Sequence, residues 1–229
     1  MYKHLFFDLD RTLWDFEKNC EESLSELAIK HNLKAYGIDS ISRFTEYFIE
    51  INEQLWEDYG QGLISKQQIR NNRFPQLFLK YKLVNDQLAT TFALDYTAIT
   101  PLKKNLLPDT LQVLNYLKEK YTLHIITNGF EETQLLKLKE CNIDFYFSEI
   151  ITSERAGFKK PDIGVFNFSL ALTKATVNNS VMIGDSLSSD IIGARQAGMH
   201  QIYLNRRGDK HSEAITYEIR ELNELMKLL

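Results

Sequence analysis

Five short apolar runs constrain what this chain can fold into. His4–Leu9 comes first, and Leu123–Thr127, Ser148–Ile151, Val181–Asp185 and Gln201–Leu204 follow much later. Each is of strand length, and the runs read as strands covered on both faces, as in a parallel sheet. Helical patterns separate the later runs, over Asp109–Lys120, Glu131–Cys141, Asp162–Thr173 and Ser188–Ala197. Strand and helix in alternation predict an α/β domain with a mostly parallel sheet. A further strand is expected over Ala214–Tyr217, followed by an amphipathic helix over Ile219–Leu228.

One long segment breaks the rhythm. From Phe16 to Ile99 the apolar residues recur at helical spacing, as in Leu24, Leu27 and Ala28 or Phe44, Phe48, Ile51 and Leu55, with no convincing strand. Pro101 and Pro108 bracket the return to alternation. The expected organisation is therefore a core of residues 1–15 and 100–229, with a helical insert of residues 16–99 placed directly after the first strand. Two short connections would let the insert rock as a lid.

Composition narrows the partners. With 27 Lys and Arg against 31 Asp and Glu, the formal charge is -4, which gives no reason to expect a nucleic-acid polymer or an anionic membrane as partner. Cys20 and Cys141 lack any disulfide-framework or zinc spacing and read as reduced, apolar residues. The five histidines are scattered, and no GxGxxG follows the first strand, so zinc and a dinucleotide cofactor are not expected. Neither a signal peptide nor a membrane-spanning run is read here, and the cytoplasm is the expected compartment.

The chemistry-bearing residues sit at strand ends, where open α/β sheets bind ligands. Asp8 and Asp10 close the first run, in Asp8-Leu9-Asp10-Arg11-Thr12. On an extended segment, side chains two apart face the same way. Paired carboxylates repel unless a cation or a shared proton intervenes, and Mg²⁺ takes such oxygen ligands readily. A capping role for Asp10 or Thr12 is the plainer alternative. A second acidic pair, Asp185 and Asp190, follows the Val181 run, and convergence of two such strand ends favours a metal over simple helix capping. Thr127-Asn128-Gly129 precedes a helix and offers a hydroxyl and N–H groups for an anion. The Lys159-Lys160-Pro161 stretch offers a cation for a phosphoryl group.

Taken in order, Asp-x-Asp-x-Thr, the strand-end Thr, Lys-Pro and Gly-Asp with a downstream Asp resemble the haloacid dehalogenase-like (HAD) hydrolase superfamily over essentially the whole chain. The resemblance implies a Rossmannoid core with a helical cap. It makes Asp8 the nucleophile and Asp10 the general acid and then base. Thr127, Asn128 and Lys160 would hold the phosphoryl group, and Asp8, Asp10 and Asp185 would bind Mg²⁺, supported by Asp190. Members that break carbon–halogen bonds lack the second carboxylate, so Asp10 implies phosphoryl transfer. The stretch Leu55–Ser65, the run Ile126–Phe130 and Tyr203-Leu204-Asn205 look like the pyrimidine 5′-nucleotidase branch, which acts on nucleoside monophosphates, modified pyrimidines among them. Sugar-phosphate or phosphoglycolate phosphatases and phosphomutases share the same motifs, and a non-catalytic phosphate-binding regulator is the alternative of another class. The expected partner is a small phosphate monoester, and the expected assembly a monomer or homodimer. Arg11 replaces the family's usual small or uncharged residue, either solvated or contacting substrate, and Lys159 is the alternative to Lys160.

Overall fold

The computed structural model describes all 229 residues, which divide into two compact units, Met1–Asp15 with Lys104–Leu229, and Phe16–Lys103. The first holds the sheet: β1 (His4–Phe7), β2 (Thr122–Thr127), β3 (Phe147–Thr152), β4 (Ser180–Gly184), β5 (His200–Leu204) and β6 (Tyr217–Ile219), in the order β3-β2-β1-β4-β5-β6. Every pairing is parallel. The α/β class and the parallel sheet expected from the alternating runs are therefore present. Leu5, Phe6, Phe7, Ile125, Ile126, Val181, Met182 and Ile183 are fully buried. That explains the lack of polar alternation in the central runs, since helices lie on both faces.

The second unit contains α1 (Phe16–Lys30), α2 (Ile41–Gly60), α3 (Lys66–Leu79) and α4 (Asp86–Ile99). Ser40, Ser65 and Asn85 cap the last three through side-chain oxygens, and Ser65 with Gln68 forms a reciprocal capping box. Phe44, Phe48, Phe74, Phe78, Phe92 and Tyr96 fill its centre. Aromatic rings packed at offset and edge angles give this unit a core of its own.

The helices of the sheet unit are α5 (Thr110–Lys118), α6 (Glu131–Glu140), α7 (Ser153–Ala156), α8 (Ile163–Thr173), α9 (Gly193–Gln196) and α10 (Leu225–Leu228). Three sequence expectations shift. The last strand runs over Tyr217–Ile219 rather than Ala214–Tyr217, because Arg195 takes the Ala214 carbonyl and the Glu213 carboxylate. The C-terminal helix starts only at Leu225, after a short 3₁₀ turn. The helix expected from Ser188 is a π-helical segment, Leu187–Ile192, that gives way to α9. Such wide turns often sit at functional sites. No helix is long and apolar enough to cross a membrane.

The order places β1 between β2 and β4, so the chain reverses direction across the sheet at β1. Crevices at the carboxyl ends of strands on either side of such a switch point bind ligands.

His124 on β2 is buried against the Phe6 ring, 4.7 Å away, and its Nε2 lies 3.1 Å from His4 Nδ1. Burial, then the His4 charge, lowers its pKa to about 4. The unfolded chain, near the ordinary value of about 6.5, binds the extra proton first. Stability from this group is thus complete above that value and is lost as the pH falls toward 4, by about 3 kcal/mol. Urea unfolding from pH 7 to pH 4 should show a shallower acid limb for His124→Leu than for the wild type; parallel limbs would exclude this origin.

Candidate active site

The site begins where β1 stops. The Asp8 N–H donates to the Ile183 carbonyl at 2.9 Å, holding the residue beside β4 and burying it. The chain then folds back, with the N–H groups of Leu13 and Trp14 both reaching the Leu9 carbonyl at 2.9 Å and Arg11 in the left-handed region at φ 64°. β4 delivers Asp185 directly after Gly184, and the π-helical turn returns Asp190 to it. Carboxylate oxygens of Asp8, Asp185 and Asp190 all lie within 4.8 Å of one another. Gly184 makes room for this: a Cβ there would fall 2.3 Å from Asp190 Oδ2.

Lys160 sits among these acids. Its Nζ donates to Asp8 Oδ1 at 2.6 Å and to the Ile126 carbonyl at 2.7 Å, and it pairs with Asp190 Oδ1 at 2.7 Å. All three ammonium donors are used. Lys160 is 2% exposed, whereas Lys159 is only partly buried, so the structure distinguishes the two lysines. Asn128 clamps the Lys160 backbone with both ends of its amide, donating to the carbonyl and accepting from the N–H at 2.8 Å each. The Asn128 side chain thus serves Lys160. Thr127 ends β2 with its Oγ1 accepting the Gly129 N–H at 3.1 Å. Thr12 donates to Asp185 Oδ1 at 3.2 Å. Asp190 also accepts the Ser186 N–H, while Ser186 caps the turn, so capping and carboxylate convergence coexist.

Asp10 is not brought into the cluster. The backward turn after Leu9 removes it from the extended line, and its carboxylate accepts from Lys137 Nζ at 2.5 Å and Gln134 Nε2 at 3.0 Å, both on α6. Sequence reasoning missed Lys137, Gln134 and the Thr12 contact. The only trace of the first two is a pair of polar residues three apart, which solvated helix faces share.

A model of the haloacid dehalogenase-like hydrolases matches residues 2–198. The chain belongs to that family. Among its relatives, the pyrimidine 5′-nucleotidase PynA of Streptococcus pneumoniae is 31% identical, aligned over 100% of this chain and 95% of PynA. The pyrimidine 5′-nucleotidase YjjG of Escherichia coli is 28% identical over 98% and 96% of the two chains. The structure of the HAD-hydrolase YfnB from Bacillus subtilis, bound to magnesium, superposes with a TM-score of 0.89 at 27% identity, covering 99% of this chain and 98% of that one.

The electrostatics of this HAD-like hydrolase point to a missing positive charge. Burial, and the nearby Asp190 and Asp10 charges, raise the Asp8 carboxyl to about 7 although Lys160 opposes them. Burial, then Asp8 and Asp190, holds Asp185 well above the usual carboxylate range. Burial alone would lower the Lys160 ammonium, but Asp190 and Asp8 outweigh it and hold it above its ordinary value. Three acids against one lysine, with hard oxygen donors gathered at one point, fit a small divalent cation.

A sign follows. Unfolded carboxyls titrate near about 4, so between there and about 7 the metal-free fold binds more protons than the unfolded chain and loses stability as pH rises. A divalent cation takes the place of those protons. Mg²⁺ should therefore raise the Tm more at pH 8 than at pH 5. Asp185→Asn should abolish most of that rise without lowering the metal-free Tm at pH 8. Equal increments at both pH values, or an unchanged response in the Asn variant, would contradict the assignment; differential scanning fluorimetry reads both.

Proposed function

We propose that this chain is a Mg²⁺-dependent phosphomonoesterase that releases phosphate from pyrimidine nucleoside and deoxynucleoside 5′-monophosphates by way of an aspartyl-phosphate. That it is a phosphatase of the HAD family follows from the family match and from its full-length similarity to phosphate-releasing relatives. The observation that carries the mechanistic reading is the buried Lys160–Asp8 pair inside a carboxylate cluster at the sheet's switch point.

The lysine engages Asp8 Oδ1, which leaves Oδ2 for attack on phosphorus. As the Asp8–phosphorus bond forms, the bond to the 5′-oxygen breaks, and that oxygen takes a proton from Asp10. A water, deprotonated by Asp10, then attacks the same phosphorus, breaks the bond to Asp8 and frees inorganic phosphate. Lys160 stays beside Asp8 and balances charge on the transferring group, with the Thr127 hydroxyl as a further donor. Asp8 and Asp185, with Asp190 behind them, would hold Mg²⁺, which neutralises charge on the phosphoryl oxygens when bound. In this reading the helical unit is the cap domain, and the enzyme works on cytoplasmic metabolites.

The similarity to PynA and YjjG supports the choice of pyrimidine nucleotides over other phosphate monoesters. A phosphate-release screen with and without Mg²⁺ should rank dUMP, dTMP or a modified pyrimidine nucleotide above phosphoglycolate. The reverse ranking would leave a phosphatase of sugar or two-carbon phosphates. Asp8→Asn should lower turnover by at least about a thousandfold while the protein stays folded; near-normal turnover in that variant would remove the nucleophile.

A further inference from the structure

Lys137 is an unusual residue for a surface helix. Its side chain is 6% exposed, and its Nζ lies 4.0 Å from the centre of the Trp14 ring. Burying an ammonium costs several kcal/mol unless it is paired, and Asp10 is its carboxylate partner. A pair of this kind is weak evidence of a stabilising role, because an apolar side chain of similar size fills such a slot without the desolvation cost. What the pair does achieve is orientation.

Gln134 completes the arrangement. It is 2% exposed and one turn before Lys137 on the same face of α6. Lys137 takes Asp10 Oδ1 and Gln134 takes Asp10 Oδ2, so the plane of the carboxylate is fixed from two directions. The other end of the Gln134 amide accepts from the Thr127 hydroxyl at 3.4 Å, a long contact that links Asp10 to the end of β2. Gly129 is shaped to allow this. A Cβ at that position would lie 2.1 Å from Gln134 Nε2, a separation no side chain tolerates.

We propose that Lys137 and Gln134 are the positioning residues of Asp10, holding its carboxylate in the one orientation from which it passes a proton to the leaving oxygen and later takes one from water. This rests on the acid–base role given to Asp10 above. A proton donor must lie within hydrogen-bond reach of the oxygen it serves, and small misplacements cost large factors in rate. The chemistry needs that donor only when the leaving oxygen is a poor leaving group. A nucleoside alkoxide requires the proton, whereas p-nitrophenolate departs without it.

The test is the ratio of kcat/KM for dUMP to that for p-nitrophenyl phosphate, measured on the full chain with Mg²⁺. For both substrates kcat/KM reports the steps up to transfer of the phosphoryl group onto Asp8, the stage at which the acid acts. Lys137→Met and Gln134→Leu should each lower kcat/KM for dUMP by about tenfold to a hundredfold and leave p-nitrophenyl phosphate within about threefold of wild type. Lys137→Arg should recover part of the loss. Equal losses on the two substrates would mean a merely structural role and overturn the proposal, as would no loss on dUMP. Gln134→Leu introduces no buried charge and gives the same comparison if Lys137→Met fails to fold. Wild-type protein that releases phosphate from neither compound would instead refute the nucleotidase function proposed above, which keeps the two failures separate.

Discussion

A single buried ammonium makes the acidic centre of this molecule possible. Asp8, Asp185 and Asp190 crowd one point at the ends of β1 and β4. Lys160 answers two of them and gives its third hydrogen to the Ile126 carbonyl. Removing the ammonium from such a buried set typically costs about 3–5 kcal/mol, since the carboxylates are left uncompensated. The balance is deliberately incomplete. One lysine pairs with two of three carboxylates but offsets only one charge, and the remaining negative charge is what a divalent cation would answer, which would link cation binding to folding of the site.

The sheet decides that these groups meet. β1 lies between β2 and β4, and Phe7 is level with Ile125 on one side and Ile183 on the other. Asp8, Ile126 and Gly184 therefore emerge side by side, although more than a hundred residues of chain separate the first from the other two. Asn128 then locks the Lys160 backbone from the end of β2, so the ammonium enters from a fixed direction. Hydrogen bonds within a buried network hold its members in place, and a donor left unpaired there would be costly.

Two of the glycines belong to the same logic. Gly184 gives Asp190 the space to turn inward, and Gly129 gives Gln134 the space to reach Asp10. In each case the space of the missing Cβ is occupied by a polar side chain from the following helix. Neither requirement is a turn preference, so neither is written into local sequence rules. The helical unit follows ordinary rules throughout, with capping residues at Ser40, Ser65 and Asn85 and an aromatic centre.

The sequence by itself determined the parallel α/β class, because central strands covered on both faces must be continuously apolar. It also determined which strand ends carry Asp8, Thr127 and Asp185, because polar side chains there interrupt apolar runs. The lysine next to Pro161 was legible as a candidate, but only burial separated Lys160 from Lys159. Tertiary structure alone decided the fate of Asp10. Strand periodicity aims it alongside Asp8, whereas the turn that closes on the Leu9 carbonyl sends it to α6. Lys137 and Gln134 were invisible for the matching reason: on a helix, a polar residue facing a buried acid and one facing water look the same until the partner, 127 or 124 residues away, is in place.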